Sequence, residues 1–240
     1  MLRRPVQTLA ARSLLAAQRT TLLVAMPNKN AAVLGRFTLA RGMASSRDNF
    51  IKTLGQEIKH EAEEVEKAKA LGKQPSPFKL VSEAKNGDIV LARETDGYKI
   101  KVLFNAKELV YDYPEDEAPI STLPIQIEIT PAGSELSILV SGEVEEQTLE
   151  EGEQDQEDVT PFFTPTSVKT GKTGAITDQD FSPDIDELDE DLQDCFAEWL
   201  SDFEIDQDLF QLVLDHAERK ENQMYLEWLT DLKKVVEGGK

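Results

Sequence analysis

The chain has 240 residues, with 26 lysines and arginines against 46 aspartates and glutamates, a formal net charge of −20. A body this acidic repels nucleic acid and anionic lipid and attracts cationic proteins, polyamines and divalent metals. The single Cys195 excludes an intrachain disulfide framework, and no stretch holds the roughly twenty apolar residues that a membrane-crossing helix needs.

The opening forty-six residues differ from all that follow. They contain Arg3, Arg4, Arg12, Arg19, Lys29, Arg36 and Arg41, no acid, and leucines and hydroxyl residues between the charges. An arginine-rich, acid-free, amphipathic leader has the composition of a mitochondrial presequence. A secretory signal would need an unbroken apolar core after its first charges, and here arginines recur throughout. The expected organisation is a presequence over 1–46, removed by processing within 41–46 before Ala44, then one acidic domain over 47–240 in the mitochondrial matrix. Without the leader, 19 basic and 46 acidic residues remain, a net charge of −27.

Phe50, Ile51, Leu54, Ile58, Ala62 and Val65 recur at steps of three and four and predict a helix. Ser46 or Asp48 is its expected cap, and Gly72, Pro75 and Pro77 end it. Its other face is densely charged, so the helix should lie beside another helix.

From Phe78 the period becomes two. Strands are expected over 78–84, over 88–95 after the turn Asn86-Gly87, and over 98–105 after Asp96-Gly97. Residues 124–130 alternate Ile125, Ile127 and Ile129 with polar neighbours. Ala132-Gly133 turns the chain into a strand over 135–142, and 159–164 and 167–170 add two short ones. Consecutive hairpins imply an antiparallel sheet with one packed and one wetter face. With helices before and after, the class is α+β with helices on one side of the sheet.

Two predicted helices close the chain. Leu188, Leu192, Phe196, Trp199, Leu200 and Phe203 share one face of the first, and Leu209, Phe210, Val213, Ala217, Trp228 and Leu229 lie in the apolar series of the second. Asp206 is the expected cap between them, with Ile205 and Phe210 at staple positions. Cys195, beside Phe196, reads as a small core residue rather than a nucleophile.

The candidate functional residues are acids. Residues 143–158 form an expected mobile loop carrying Glu143, Glu145, Glu146, Glu150, Glu151, Glu153, Asp155, Glu157 and Asp158 with no cation. Such a segment buries too little apolar surface to offset its ordering entropy. A further run, from Asp184 to Asp191, includes Asp184, Asp186 and Glu187. Acids there could bind a cationic partner or stabilise the next helix's dipole, by about 0.3–1 kcal/mol each.

Other chemistry lacks its residues. Gly171-Lys172-Thr173 resembles the end of a phosphate-binding loop, but Thr166 stands where the first glycine is required, and Gly174 follows where a helix should begin. Asp178-Gln-Asp180 opens like a calcium loop, yet Pro183 and Asp189 occupy the positions of its glycine and final glutamate. His60, His216 and Cys195 do not make a zinc set or a triad. No cofactor, metal site or catalytic residue is expected.

Taken together, the helix from Asp48, the hairpins ending in 98–105, the strand from Pro124, and the segments 192–200 and 220–229 resemble the mitochondrial acidic matrix proteins, or mitochondrial glycoprotein family. The resemblance implies a seven-stranded twisted antiparallel sheet flanked by one N-terminal and two C-terminal helices, assembling as a ring-shaped homotrimer. It also implies a non-enzymatic scaffold or chaperone for basic mitochondrial proteins such as ribosomal proteins. Such a protein supports ribosome assembly, translation and oxidative phosphorylation, without direct nucleic-acid binding. The alternative function is a low-affinity divalent-cation (calcium) buffer.

Overall fold

Seven antiparallel strands form one sheet in the order β1-β2-β3-β5-β6-β7, with β4 also paired to β5. They are β1 (Lys79–Glu83), β2 (Asp88–Thr95), β3 (Tyr98–Asn105), β4 (Val110–Asp112), β5 (Ile120–Pro131), β6 (Leu136–Gln147) and β7 (Phe162–Lys172). Among the described residues one α-helix precedes them, α1 (Leu39–Ala70), and two follow, α2 (Glu190–Ser201) and α3 (Gln207–Glu237). The computed structural model describes residues 39–70, 76–112, 120–147, 160–177 and 179–238. This is the expected α+β class and element count.

Local chemistry sets the hairpins. Asp96 (φ 46°) and Gly97 (φ 81°) both occupy the left-handed region that a tight two-residue turn demands, and they place Thr95 opposite Tyr98. Pro124 has no N–H to give a ladder. It stands where β5 changes neighbours, after Thr122 has paired with Val110 of β4 and before Ile125 pairs with Phe104 of β3.

The packed face of the sheet carries Ile89, Leu91, Ile100, Val102, Ile125, Ile127, Ile129, Val140 and Val144. Against it lie Leu200 from the end of α2, Phe203 and Ile205 from the corner, and Leu209, Phe210, Val213 and Ala217 from the start of α3. Full burial of each large aliphatic or aromatic side chain contributes about 1.5–3 kcal/mol. Asp206 caps α3 as expected: its carboxylate accepts the N–H groups of Asp208 (3.1 Å) and Leu209 (3.3 Å), between buried Ile205 and Phe210.

This sheet, α2 and α3 as far as Glu218 form one compact unit, while α1 and α3 from Arg219 belong to a second. Within the second, Arg47 Nε donates to the Val236 carbonyl (2.8 Å), and Leu54, Val65 and Leu229 are buried. The charged helix therefore does lie beside a C-terminal one.

Three expectations change. The helix already includes Leu39, so Ser46 and Asp48 lie inside it and not at its start. Residues 39–46 contain Leu, Ala, Arg and Met, all strong helix formers, and no proline to stop the propagating helix. The two short strands of the sequence reading are one strand, β7. Its pairing with β6 shifts register after Ser141, so Pro165 falls at a bulge, which an edge strand tolerates. The third concerns the acidic loop.

Candidate partner-binding surface

Residues 143–147 are strand and not loop. β6 continues through them, with Pro124↔Glu143 and Ser121↔Glu146 on one side and Glu143↔Thr164 and Glu145↔Phe162 on the other. Fully buried Val144 anchors this extension, and ladder bonds on both sides outweigh the mutual repulsion of the carboxylates. Alternation then sorts the acids. Glu143 is exposed, Glu145 half-buried, and Glu146, on the same face as Val144, only 5% exposed. Ser121 Oγ donates to the Glu146 carbonyl (3.3 Å). Of these three candidates only Glu143 stands open to a partner. Glu150, Glu151, Glu153, Asp155, Glu157 and Asp158 lie outside the described residues.

After β7 the chain turns back across the sheet as a strap. The Gly174 N–H donates to Glu128 Oε1 (3.0 Å), Thr173 and Ser137 hydroxyls meet at 2.6 Å, and Lys169 Nζ donates to the Thr177 carbonyl (3.2 Å). Ser182 Oγ accepts from the Val168 N–H and donates to the Val168 carbonyl, both at 3.0 Å. A bridge between Ser167 and Asp184 follows, and buried Ile185 pins the short 3-10 helix Ile185–Glu187. Asp184, Asp186 and Glu187 are exposed on this fixed backbone.

The strap also explains the buried ion pair of the outer face. Lys101 Nζ and Glu128 Oε2 lie 2.6 Å apart, across the register pair Lys101↔Glu128. Burial alone would raise the Glu128 pKa. The hydrogen bond and charge of Lys101, with donors at Gly174 and Ser137, outweigh burial and hold it below the ordinary 4.5.

Beyond the strap the acids continue past Asp191, where the expected run ends. Asp189 caps α2 by accepting the Asp191 N–H (3.1 Å). Glu190, Asp191, Asp194, Glu198 and Asp202 are all exposed. Between Lys172 and Arg219 the sequence holds sixteen aspartates and glutamates and no lysine or arginine. That missing cation was the available signal. The apolar periodicity of α2 marks only its core face.

The direction of α2 is fixed from the sheet. Glu204 turns the corner at φ 56°, and Arg93 of β2 donates Nη1 to the Phe203 carbonyl (2.8 Å) and Nη2 to Glu204 Oε1 (2.8 Å). Phe203 packs edge-on to Tyr98 and Trp199, both at 5.0 Å between centroids. Cys195, expected in the core, is exposed, because α2 buries its C-terminal end at Leu200 and leaves its middle outside.

The phosphate-loop likeness resolves into a strand end and a turn. Gly171 and Lys172 finish β7, and the Ala175 N–H closes onto the Lys172 carbonyl (2.9 Å). Asp180 accepts the Thr177 N–H (2.6 Å) and hydroxyl (3.1 Å), which hold its pKa below the ordinary 3.8; Asp178 lies outside the described residues. Among the described residues no three His, Cys, Asp or Glu stand together so as to hold a metal ion, and no helix is long and apolar enough to cross a membrane.

Comparison with known proteins gives a consistent result. The family model described as mitochondrial glycoprotein matches residues 54–174 and 147–236. A Bos taurus protein, complement component 1 Q subcomponent-binding protein, mitochondrial, is 25% identical over 202 residues, covering 78% of this chain and 71% of its own length. Two solved structures share the fold. One is a Leishmania major protein described as a homologue of human p32 (TM-score 0.54, 17% identity, 80% of this chain and 99% of that one). The other is the Trypanosoma brucei p22 protein (TM-score 0.53, 16% identity, 80% and 99%).

Proposed function

The chain belongs to the mitochondrial glycoprotein family, and we propose that it is a non-enzymatic acidic scaffold of the mitochondrial matrix that binds basic proteins. The observation that carries this is the run of exposed carboxylates from Asp184 to Asp202, held on rigid elements in a segment without lysine or arginine. The name of the bovine relative, a binding protein for a complement component, supports a protein partner.

The mechanism is electrostatic. At physiological salt an exposed charge acts over about 8 Å, so closely spaced carboxylates matter more than total charge. A dense patch speeds encounter with a basic protein and holds it through many weak contacts. Because these acids sit on a capped helix and a pinned 3-10 turn, their backbone needs no ordering on binding. In this reading residues 1–46 are removed on import, 148–158 add further acids, and three copies form a ring that concentrates the field. Ribosomal-protein tails are the natural clients, shielded from premature RNA contact during ribosome assembly and so coupled to translation and oxidative phosphorylation.

Binding to a basic ribosomal protein is expected to weaken steeply between low and moderate salt. Changing Asp184, Asp186, Glu187, Asp191, Asp194 and Glu198 to amides should lower affinity at least about tenfold, or 1.4 kcal/mol. Salt-insensitive binding would refute the scaffold. Calorimetry with calcium separates the buffer reading, which requires several sites of micromolar affinity.

A further inference from the structure

One turn of α2 is apolar and uncovered. Leu192, Cys195 and Trp199 follow one another at steps of three and four, which puts them in one row along the helix, and Leu188 stands just before its cap. Towards the C-terminal end the core closes this row: Trp199 packs edge-on to Phe203, and Leu200 is buried. Towards the N-terminal end it opens. Leu192 is 53% exposed, Cys195 is exposed, and Leu188 and Phe196 are half-buried. Immediately alongside runs a second row at steps of three, four and four, Asp191, Asp194, Glu198 and Asp202, every member exposed.

We propose that this open row of α2 seats the apolar face of a cationic amphipathic helix, whose lysines or arginines meet the adjacent carboxylates. Charge selects the occupant. A neutral or acidic helix laid on Leu192 would strip water from the neighbouring carboxylates without supplying a counter-charge. An extended basic tail would meet the acids and leave Leu192 and Phe196 wet. A helix with leucines at i, i+3 and i+4 and cations on its flanks satisfies both rows at once. The inference rests on the reading that this protein binds cationic partners, and it narrows the partner from any basic segment to a helical, two-faced one.

The test uses the full chain and two synthetic peptides of about four helical turns, identical in lysine and leucine content. One places its leucines on a single helical face and the other disperses them. Fluorescence anisotropy should give about tenfold tighter binding for the amphipathic peptide. Leu192→Ser should remove most of that difference, with an unchanged melting temperature because the side chain is already half in water. Val235→Ser, a change at a 74% exposed apolar position of α3, should leave the difference intact. Equal binding of both peptides overturns the helix site and leaves the acidic scaffold standing. Loss of the preference in Val235→Ser but not Leu192→Ser overturns the assignment to α2. If neither peptide binds at low salt, the scaffold reading falls as well.

Discussion

Glu128 on β5 and Asp191 on α2 are both carboxylates of one acidic chain, and they do different work. Glu128 is buried, paired with Lys101 and bonded to the strap, so its charge is consumed inside the protein. Asp191 is exposed in a segment with no lysine or arginine, so its charge projects outward. The same contrast divides Glu146 from Asp186. Substitutions in the sheet should therefore cost stability, and substitutions on α2 should cost binding.

The sharpest break lies at Gly142, where β6 passes the bulge of β7. A Cβ there would stand 2.3 Å from the Thr164 carbonyl oxygen and 2.6 Å from the Phe163 ring. Gly142→Ala is expected to destabilise by about 3 kcal/mol, since backbone rather than a flexible side chain must move. Chemical denaturation would measure it, and a loss under about 1 kcal/mol would show that the bulge adjusts.

Glu128→Gln comes next, at about 2 kcal/mol, because Lys101 loses its counter-charge and only part of it can reach water. The pH dependence has a definite sign. The folded pKa lies below the ordinary 4.5, so the stabilisation is complete above that value and disappears as pH falls through the folded pKa. The gap in stability between the parent and Glu128→Gln should narrow on acidification below pH 4.5. Binding to a basic protein should not change at neutral pH; a change would mean this carboxylate contributes to the outward field.

Asp189→Ala should cost about 1 kcal/mol by removing the cap of α2. Thermal melting reads it, and Asp189→Asn should recover most of the loss, since the amide oxygen also accepts the Asp191 N–H. The smallest structural effect belongs to the triple change Asp191→Asn, Asp194→Asn and Glu198→Gln, within about 0.5 kcal/mol of the parent. The same variant should show a shallower salt dependence of binding. A triple variant that melts early yet binds normally would reverse the comparison.

Much of the fold was legible because it is written in short-range patterns. Asp96-Gly97 specifies a turn whatever lies around it, the alternation of Ile125, Ile127 and Ile129 specifies a half-buried strand, and Asp206 between Ile205 and Phe210 specifies a helix start. The acidic surface was legible only as composition. The run from Asp184 to Asp191 is legible as a string of acids, whereas nothing local shows that Glu143, Glu145 and Glu146 belong to a strand or that the acids of α2 beyond Asp191 extend the run.

Residue order alone determined the α+β class, most of the elements and their turns, the mitochondrial family and the excess of negative charge, since each depends on neighbours a few positions apart or on a sum. Tertiary structure decided which carboxylates face water. Val144 carries the β6 ladder through an acidic run, Lys101 and the strap neutralise Glu128, and Arg93 holds the corner from which α2 points its acids outward. Those outcomes depend on partners tens of residues away along the chain, which a local pattern does not encode.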